Sequence, residues 1–157
     1  MNSKLPAWPA PLELLPHGPQ ACYLDRILDF TPGRKVTAQW TVRGDCALFD
    51  PQCDGVPGWA GLEIMAQCSG LYLGLSRARG KPQYSPTAGY LVGARRIDVH
   101  EPVLPLDAVL SIEAVCEVAD LSGDELGNFE CRILCAGKLC ATARLMLWCG
   151  ATDQGKT

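Results

Sequence analysis

From residue 22 onward, apolar and polar side chains alternate with a period of two, and clusters of Gly, Pro and Asp cut the pattern into strand-sized lengths. The stretch "RKVTAQWTV" puts Val36, Ala38, Trp40 and Val42 on one face and Lys35, Thr37, Gln39 and Thr41 on the other, as a half-buried strand would. Upstream, "CYLDRILDF" runs into "TPG", a turn able to join two antiparallel strands. Downstream, "YLVGARRIDV", "AVLSIEAVCEV", "FECRILCAG" and "KLCATARLMLW" are each strand-sized and separated by turn chemistry such as "LPLD" and "LSGDELGN". In the last of them Leu139, Ala141, Ala143, Leu145 and Leu147 make one apolar face. Hairpins in this succession build an antiparallel sheet with one face in need of a cover.

The cover is the one block that breaks the alternation. Residues 57–79 hold no proline after Pro57 and close on Arg77, Arg79 and then Gly80, so a start and a stop bracket one long helix. Leu62, Ile64, Met65, Ala66, Leu71, Leu73 and Leu75 lie all round its axis, which predicts a helix enclosed by protein on most sides. The expected fold class is α+β: a curled antiparallel sheet of about six strands around one central helix. It fills 1–157 as one domain, with an N-terminal segment over 1–20 and a flexible tail over 150–157.

Composition narrows the class. At 157 residues, 48% hydrophobic and 20% charged, the chain can bury a core of its own. Prolines interrupt "MNSKLPAWPAPLELLPHG" where a signal peptide needs an apolar run, and no run approaches the roughly 20 residues of a membrane span. A cytoplasmic protein with no membrane partner is expected. A net charge of −3 argues against a nucleic-acid partner held through phosphates. Nine cysteines are an odd number without an export signal, and no Cys-x-x-Cys accompanies the two histidines. They are expected to be free thiols, with no metal and no cofactor.

Candidate chemistry sits on the helix. Ala60, Glu63, Gln67, Gly70 and Gly74 recur at steps of three and four, forming a face of small or polar groups. Each mid-helix glycine costs about 1 kcal/mol relative to alanine, so something must come close on that side, protein backbone or a ligand. Glu63 is a lone carboxylate in an apolar run: a general acid or base, or a charge paired with Arg95 or Arg96. Pro57-Gly58 offers unpaired N–H groups to a carbonyl oxygen, or simply starts the helix.

The stretches "LLPHGPQACYLDRILDFTPG" and "GVPGWAGLEIMAQCSGLYLG", with "RRIDVHEPVLPLDAVLSIEA" after them, resemble the beta-hydroxyacyl-acyl-carrier-protein dehydratases of the hotdog fold. Leu15-Pro16-His17 and the step from Pro57 through Trp59 to Glu63 look most like an atypical branch, which includes predicted dehydratases of aryl polyene pathways. The usual catalytic histidine before the Pro-Gly step is missing from "ALFDPQCDGVPG". The resemblance implies a hotdog domain dimerising by sheet extension, Glu63 as the catalytic carboxylate and the Gly58 amide as donor to a thioester carbonyl. Pro57, Gly58, Trp59, Gln67 and Gly70 would then line the substrate site. Implied partners are an acyl carrier protein bearing a 3-hydroxyacyl or enoyl thioester and a second subunit, in a homodimer, a higher oligomer or a heterodimer with another dehydratase.

Dehydration needs a base for the C2 proton, an acid for the hydroxyl and donors for the enolate-like oxygen. His17 is the imidazole available for the missing role, or else it only orders the N-terminal segment; His100 falls in a turn. Asp50 and Asp54 lie nearer the lost position, with helix capping the favoured role for Asp54. Arg77, Arg79 and Lys81, with Arg95 and Arg96, could meet an acidic carrier; the first three also suit a helix C-terminus. Three functions stand: dehydratase, hotdog acyl thioesterase, and non-catalytic acyl-binding partner of an active dehydratase.

Overall fold

The computed structural model describes residues 7–79, 89–120 and 125–149. A short helix α1 (Pro11–Leu14) precedes the hairpin β1 (Arg26–Thr31) and β2 (Lys35–Thr41). The short strand β3 (Gly55–Pro57) then leads through a 3-10 turn (Gly58–Ala60) into the long helix α2 (Gly61–Ala78). Strands β4 (Gly89–Val99), β5 (Val103–Pro105), β6 (Val109–Asp120), β7 (Glu125–Cys135) and β8 (Lys138–Cys149) follow. Six strands form one antiparallel sheet in the order β1-β2-β6-β7-β8-β4, and β3 pairs with β5 beside it.

The period-two pattern becomes rows of inward side chains across this sheet. Ala38, Ile112, Ile133 and Ala141 stand in register on successive strands, as do Val36, Ala114, Cys131 and Ala143, and all eight are buried. Helix α2 lies on those rows with Ile64, Met65, Cys68, Leu71, Tyr72 and Leu75 buried. Tyr72 sits edge-on between Phe30 and Phe129, with ring centroids 5.6 Å from each. This is the hotdog arrangement expected from the sequence.

Two local expectations need correction. The helix proper starts at Gly61, because Pro57 is spent on β3 and Gly58–Ala60 wind more tightly. Leu139 is exposed, because β8 carries a bulge: Ala141 faces Ile133 but Leu139 faces Leu134, and the additional residue, Cys140, takes the buried place. Eight cysteines are described, all free thiols, with Cys68, Cys131 and Cys140 buried. No described helix is long and apolar enough to cross a membrane. The 150–157 tail, residues 1–6 and Lys81 lie outside the described residues.

Candidate active site

Glu63 stands in the first turn of α2, on the face that meets the N-terminal segment rather than the sheet. Two turns on, the same face carries Gly70 and Gly74, and what comes close to them is protein. A methyl carbon built on Gly74 would lie 3.0 Å from the carbonyl oxygen of Leu14, and one on Gly70 would lie 3.0 Å from Leu15 Cδ2. The missing side chains let α1 and the residues after it seat on the helix.

From that seat the chain turns through Pro16 and brings His17 over Glu63. Nε2 of the imidazole lies 3.5 Å from Glu63 Oε1. Buried Gln67 closes the arrangement from the other side. Its amide nitrogen donates to Glu63 Oε1 at 3.0 Å and to the Ala21 carbonyl at 2.7 Å, and its oxygen accepts from the Tyr23 N–H at 3.0 Å. His17 beside Glu63 is the largest influence on the carboxyl and holds it below the usual carboxylate range; burial opposes, and the Gln67 donor adds to the lowering. Nδ1 of His17 is buried and has no hydrogen-bond partner among the described residues.

A cavity of about 100 Å³ opens beside the pair. His17, Glu63 and Gln67 form its polar end, and Leu15, Ala66, Leu91 and Leu147 supply apolar walls. Gly70 borders it, as the sequence pattern suggested, and so does Gly89 of β4. At 100 Å³ the space admits a few heavy atoms, short of the roughly 300 Å³ at the lower end of ligand pockets.

Other sequence candidates stand elsewhere. The Gly58 N–H donates to the Pro102 carbonyl at 2.8 Å, so this amide is engaged within the chain. A methyl on Gly58 would overlap the Glu101 carbonyl oxygen, which gives the glycine a packing reason. Neither Pro57 nor Gly58 lines the cavity, and Trp59 is 71% exposed. Asp54 caps nothing: the helix start has no side-chain cap, and Asp54 is a turn residue with φ 52° whose carbonyl accepts from Leu106. Asp50 accepts from the Gln52 N–H in its own loop. Glu63 takes His17 and Gln67 as partners in place of Arg95 or Arg96, both of which are exposed on β4, and His100 is exposed.

Sequence reasoning missed the ties from Gln67 to Ala21 and Tyr23, and Leu14 and Leu15 as the neighbours of the glycines. The signal for the second was present in "LELLPH", where an apolar pair immediately precedes the histidine.

With this geometry in view, the likenesses to known proteins become specific. Residues 9–154 match the ApeP-like family, described as ApeP dehydratase. The 3-hydroxyacyl-acyl-carrier-protein dehydratase FabZ of Bordetella petrii is 31% identical over 139 residues, covering 86% of this chain and 89% of the relative. That of Pseudoalteromonas translucida is 33% identical over 140 residues, covering 86% and 87%. Among solved structures, the dehydratase heterocomplex ApeI:P of Xenorhabdus doucetiae superposes with a TM-score of 0.84 at 25% identity, over 94% of this chain and 95% of that one. A hypothetical thioesterase from Streptococcus pneumoniae, solved with coenzyme A, shares the fold at a TM-score of 0.56 and 16% identity, over 81% and 86%. The match over nearly the whole length, joined to dehydratase relatives above 30% identity, makes this chain a hotdog-fold member of the ApeP-like dehydratase family.

Proposed function

We propose that the protein removes water from 3-hydroxyacyl groups held as thioesters on an acyl carrier protein, leaving the 2-enoyl thioester. The observation that carries this reading is the approach of His17 Nε2 to within 3.5 Å of Glu63 Oε1 at the polar end of an apolar cavity. Glu63, kept ionised by His17, takes the proton from C2. The C–H electrons form the C2–C3 double bond as the C3–O bond breaks, and protonated His17 gives its Nε2 proton to the hydroxyl, which leaves as water. The pair then holds one proton on Glu63, and transfer to His17, directly or through one water, resets it.

Donors for the enolate-like oxygen must come from elsewhere, since the Gly58 amide is engaged. The cavity is bounded by Gly89 and Leu91 of β4, the edge strand, so a subunit docked there would complete it. We assign the missing donors and further space for the acyl chain to that partner, a second copy or another dehydratase. Exposed Arg95 and Arg96 on the same strand suit an acidic carrier protein.

His17 Nδ1 favours a second reading, the non-catalytic subunit. Both working forms of the imidazole, the acid and the Nε2 base, carry a proton on Nδ1, and this nitrogen is buried with no acceptor among the described residues. A partner that brings an acceptor restores the first reading. Purified protein with 3-hydroxyacyl carrier-protein thioesters, alone and with a dehydratase partner, decides between them. Enoyl product lost in Glu63→Gln supports dehydration. Free thiol in its place means thioester hydrolysis, and turnover that survives Glu63→Gln and needs the partner's own site means the subunit role.

A further inference from the structure

His17 belongs to a segment fastened to α2 at two places. After it in sequence, Ala21 and Tyr23 are tied by their backbones to Gln67. Before it, Leu14 and Leu15 rest on Gly74 and Gly70. The two glycines are not equivalent. A methyl on Gly70 would meet Leu15 Cδ2, the end of a side chain that can rotate away. A methyl on Gly74 would meet the Leu14 carbonyl oxygen at 3.0 Å and Leu14 Cβ at 3.2 Å, and neither moves without the main chain. From that carbonyl, only Leu15 and Pro16 lead to His17, and the proline ring fixes one of the torsions between them.

We propose that Gly74 is a positioning residue for His17: its bare Cα lets the Leu14 carbonyl seat on the helix, and that seating sets the imidazole against Glu63. The effect on turnover rests on the dehydratase reading, whereas the distance between imidazole and carboxylate belongs to the folded chain whatever it catalyses. Three groups face Glu63: His17 from the N-terminal segment, Gln67 from its own helix, and Tyr23, whose phenol feels its charge. Gln67 and Tyr23 belong to the other fastening, the one that follows His17 in sequence. Displacing Leu14 therefore withdraws His17 first and leaves burial to push the Glu63 carboxyl upward.

The test compares Gly74→Ala with Gly70→Ala by carbon-13 NMR titration of the Glu63 carboxyl, thermal melting and enoyl formation. Gly74→Ala should raise the Glu63 pKa toward the ordinary carboxylate range and lower kcat about tenfold or more with KM little changed. Gly70→Ala, at the border of the cavity and therefore a control for the titration alone, should leave the Glu63 pKa as it is in the parent. Gly70→Ala should melt as the parent does or higher, since alanine favours a helix over glycine, whereas Gly74→Ala should melt somewhat lower because the Leu14 backbone must shift. Should Gly74→Ala fail to fold, Leu14→Ala, which leaves the carbonyl and Cβ in place but removes the buried side chain that holds them against Gly74, must give the same rise in the Glu63 pKa. A parental Glu63 titration in the folded variants overturns the proposal. If the parent forms no enoyl from any thioester, alone or with a dehydratase partner, yet Gly74→Ala still raises the Glu63 pKa, the dehydratase reading fails and the positioning role stands.

Discussion

Glu63 answers to His17 more than to its other neighbours, and the proposed chemistry depends on that pairing. Glu63→Gln keeps the shape and the link to Gln67 but cannot accept a proton, so it should abolish enoyl formation and leave the fold intact. His17→Ala should cost about 10²-fold or more in rate, the usual worth of one positioned acid or base. Because His17 holds the Glu63 carboxyl low, the acid limb of kcat/KM should fall below the ordinary glutamate value of about 4.3. His17→Ala should move the pKa of Glu63 upward. The same depression has a stability consequence. A carboxyl whose folded pKa is lowered contributes stability that is fully present above its unfolded value and is lost as pH falls through the folded value. The melting temperature of the parent relative to Glu63→Gln should therefore be higher at neutral pH than near pH 3, and an equal difference at both would show that the pair adds nothing to folding. The sequence displayed both residues as motif members 46 positions apart, and the turn at Pro16 that joins them leaves no periodic signature.

Three of the glycines on and just before helix α2 make two kinds of contact, and only one concerns the site. Gly70 and Gly74 receive the N-terminal segment, whereas Gly58, in the turn before the helix, lies against the backbone at Glu101. Gly58→Ala should destabilise the fold by roughly 3 kcal/mol through overpacking against a carbonyl that cannot rotate away. The melting temperature reads this directly, and an undisturbed melt with lost activity would restore Gly58 to the substrate site. The element pattern was legible in advance because burial imposes a period: Val36, Ala38, Trp40 and Val42 are all buried, and the long strands appear where alternation put them, except that β7 starts at Glu125, inside the stretch "LSGDELGN" read as a turn. Periodicity failed where a residue is inserted or a backbone group is shared. The bulge at Cys140 turned Leu139 outward, and Pro57 served strand β3 before any helix began. Hydrogen bonding hid the rest. Nothing in "PGW" reveals that the Gly58 amide reaches the Pro102 carbonyl, because that contact depends on β3 pairing with β5.

Strand β4 is where the single chain is least finished. Eleven residues long and outermost in the sheet, it exposes Leu91, Val92, Ile97 and Val99, all between 42% and 58%, and Leu91 also walls the cavity beside Glu63. An apolar edge of this length invites another strand. Ile97→Asp should thus turn an assembly into monomers in sedimentation and reduce turnover with it, although Ile97 does not line the cavity. The charges on the strand bear on which partner is preferred. In a two-fold antiparallel pairing about its centre near Ala94, Arg95 and Arg96 of one copy come within two to four residues of their counterparts, so like charges gather at the axis. An edge bearing carboxylates would meet the same arginines favourably. Self-association should consequently strengthen as salt rises from about 0.01 M to 1 M, where the screening length falls from roughly 30 Å to 3 Å, and pairing with an acid-edged dehydratase should weaken over that range. Sedimentation of the protein alone and mixed with such a partner measures both slopes. A homodimer that tightens at low salt would show that β4 pairs in a register that keeps the arginines apart, and a salt-independent monomer in both mixtures would remove the shared site on which the proposed elimination depends.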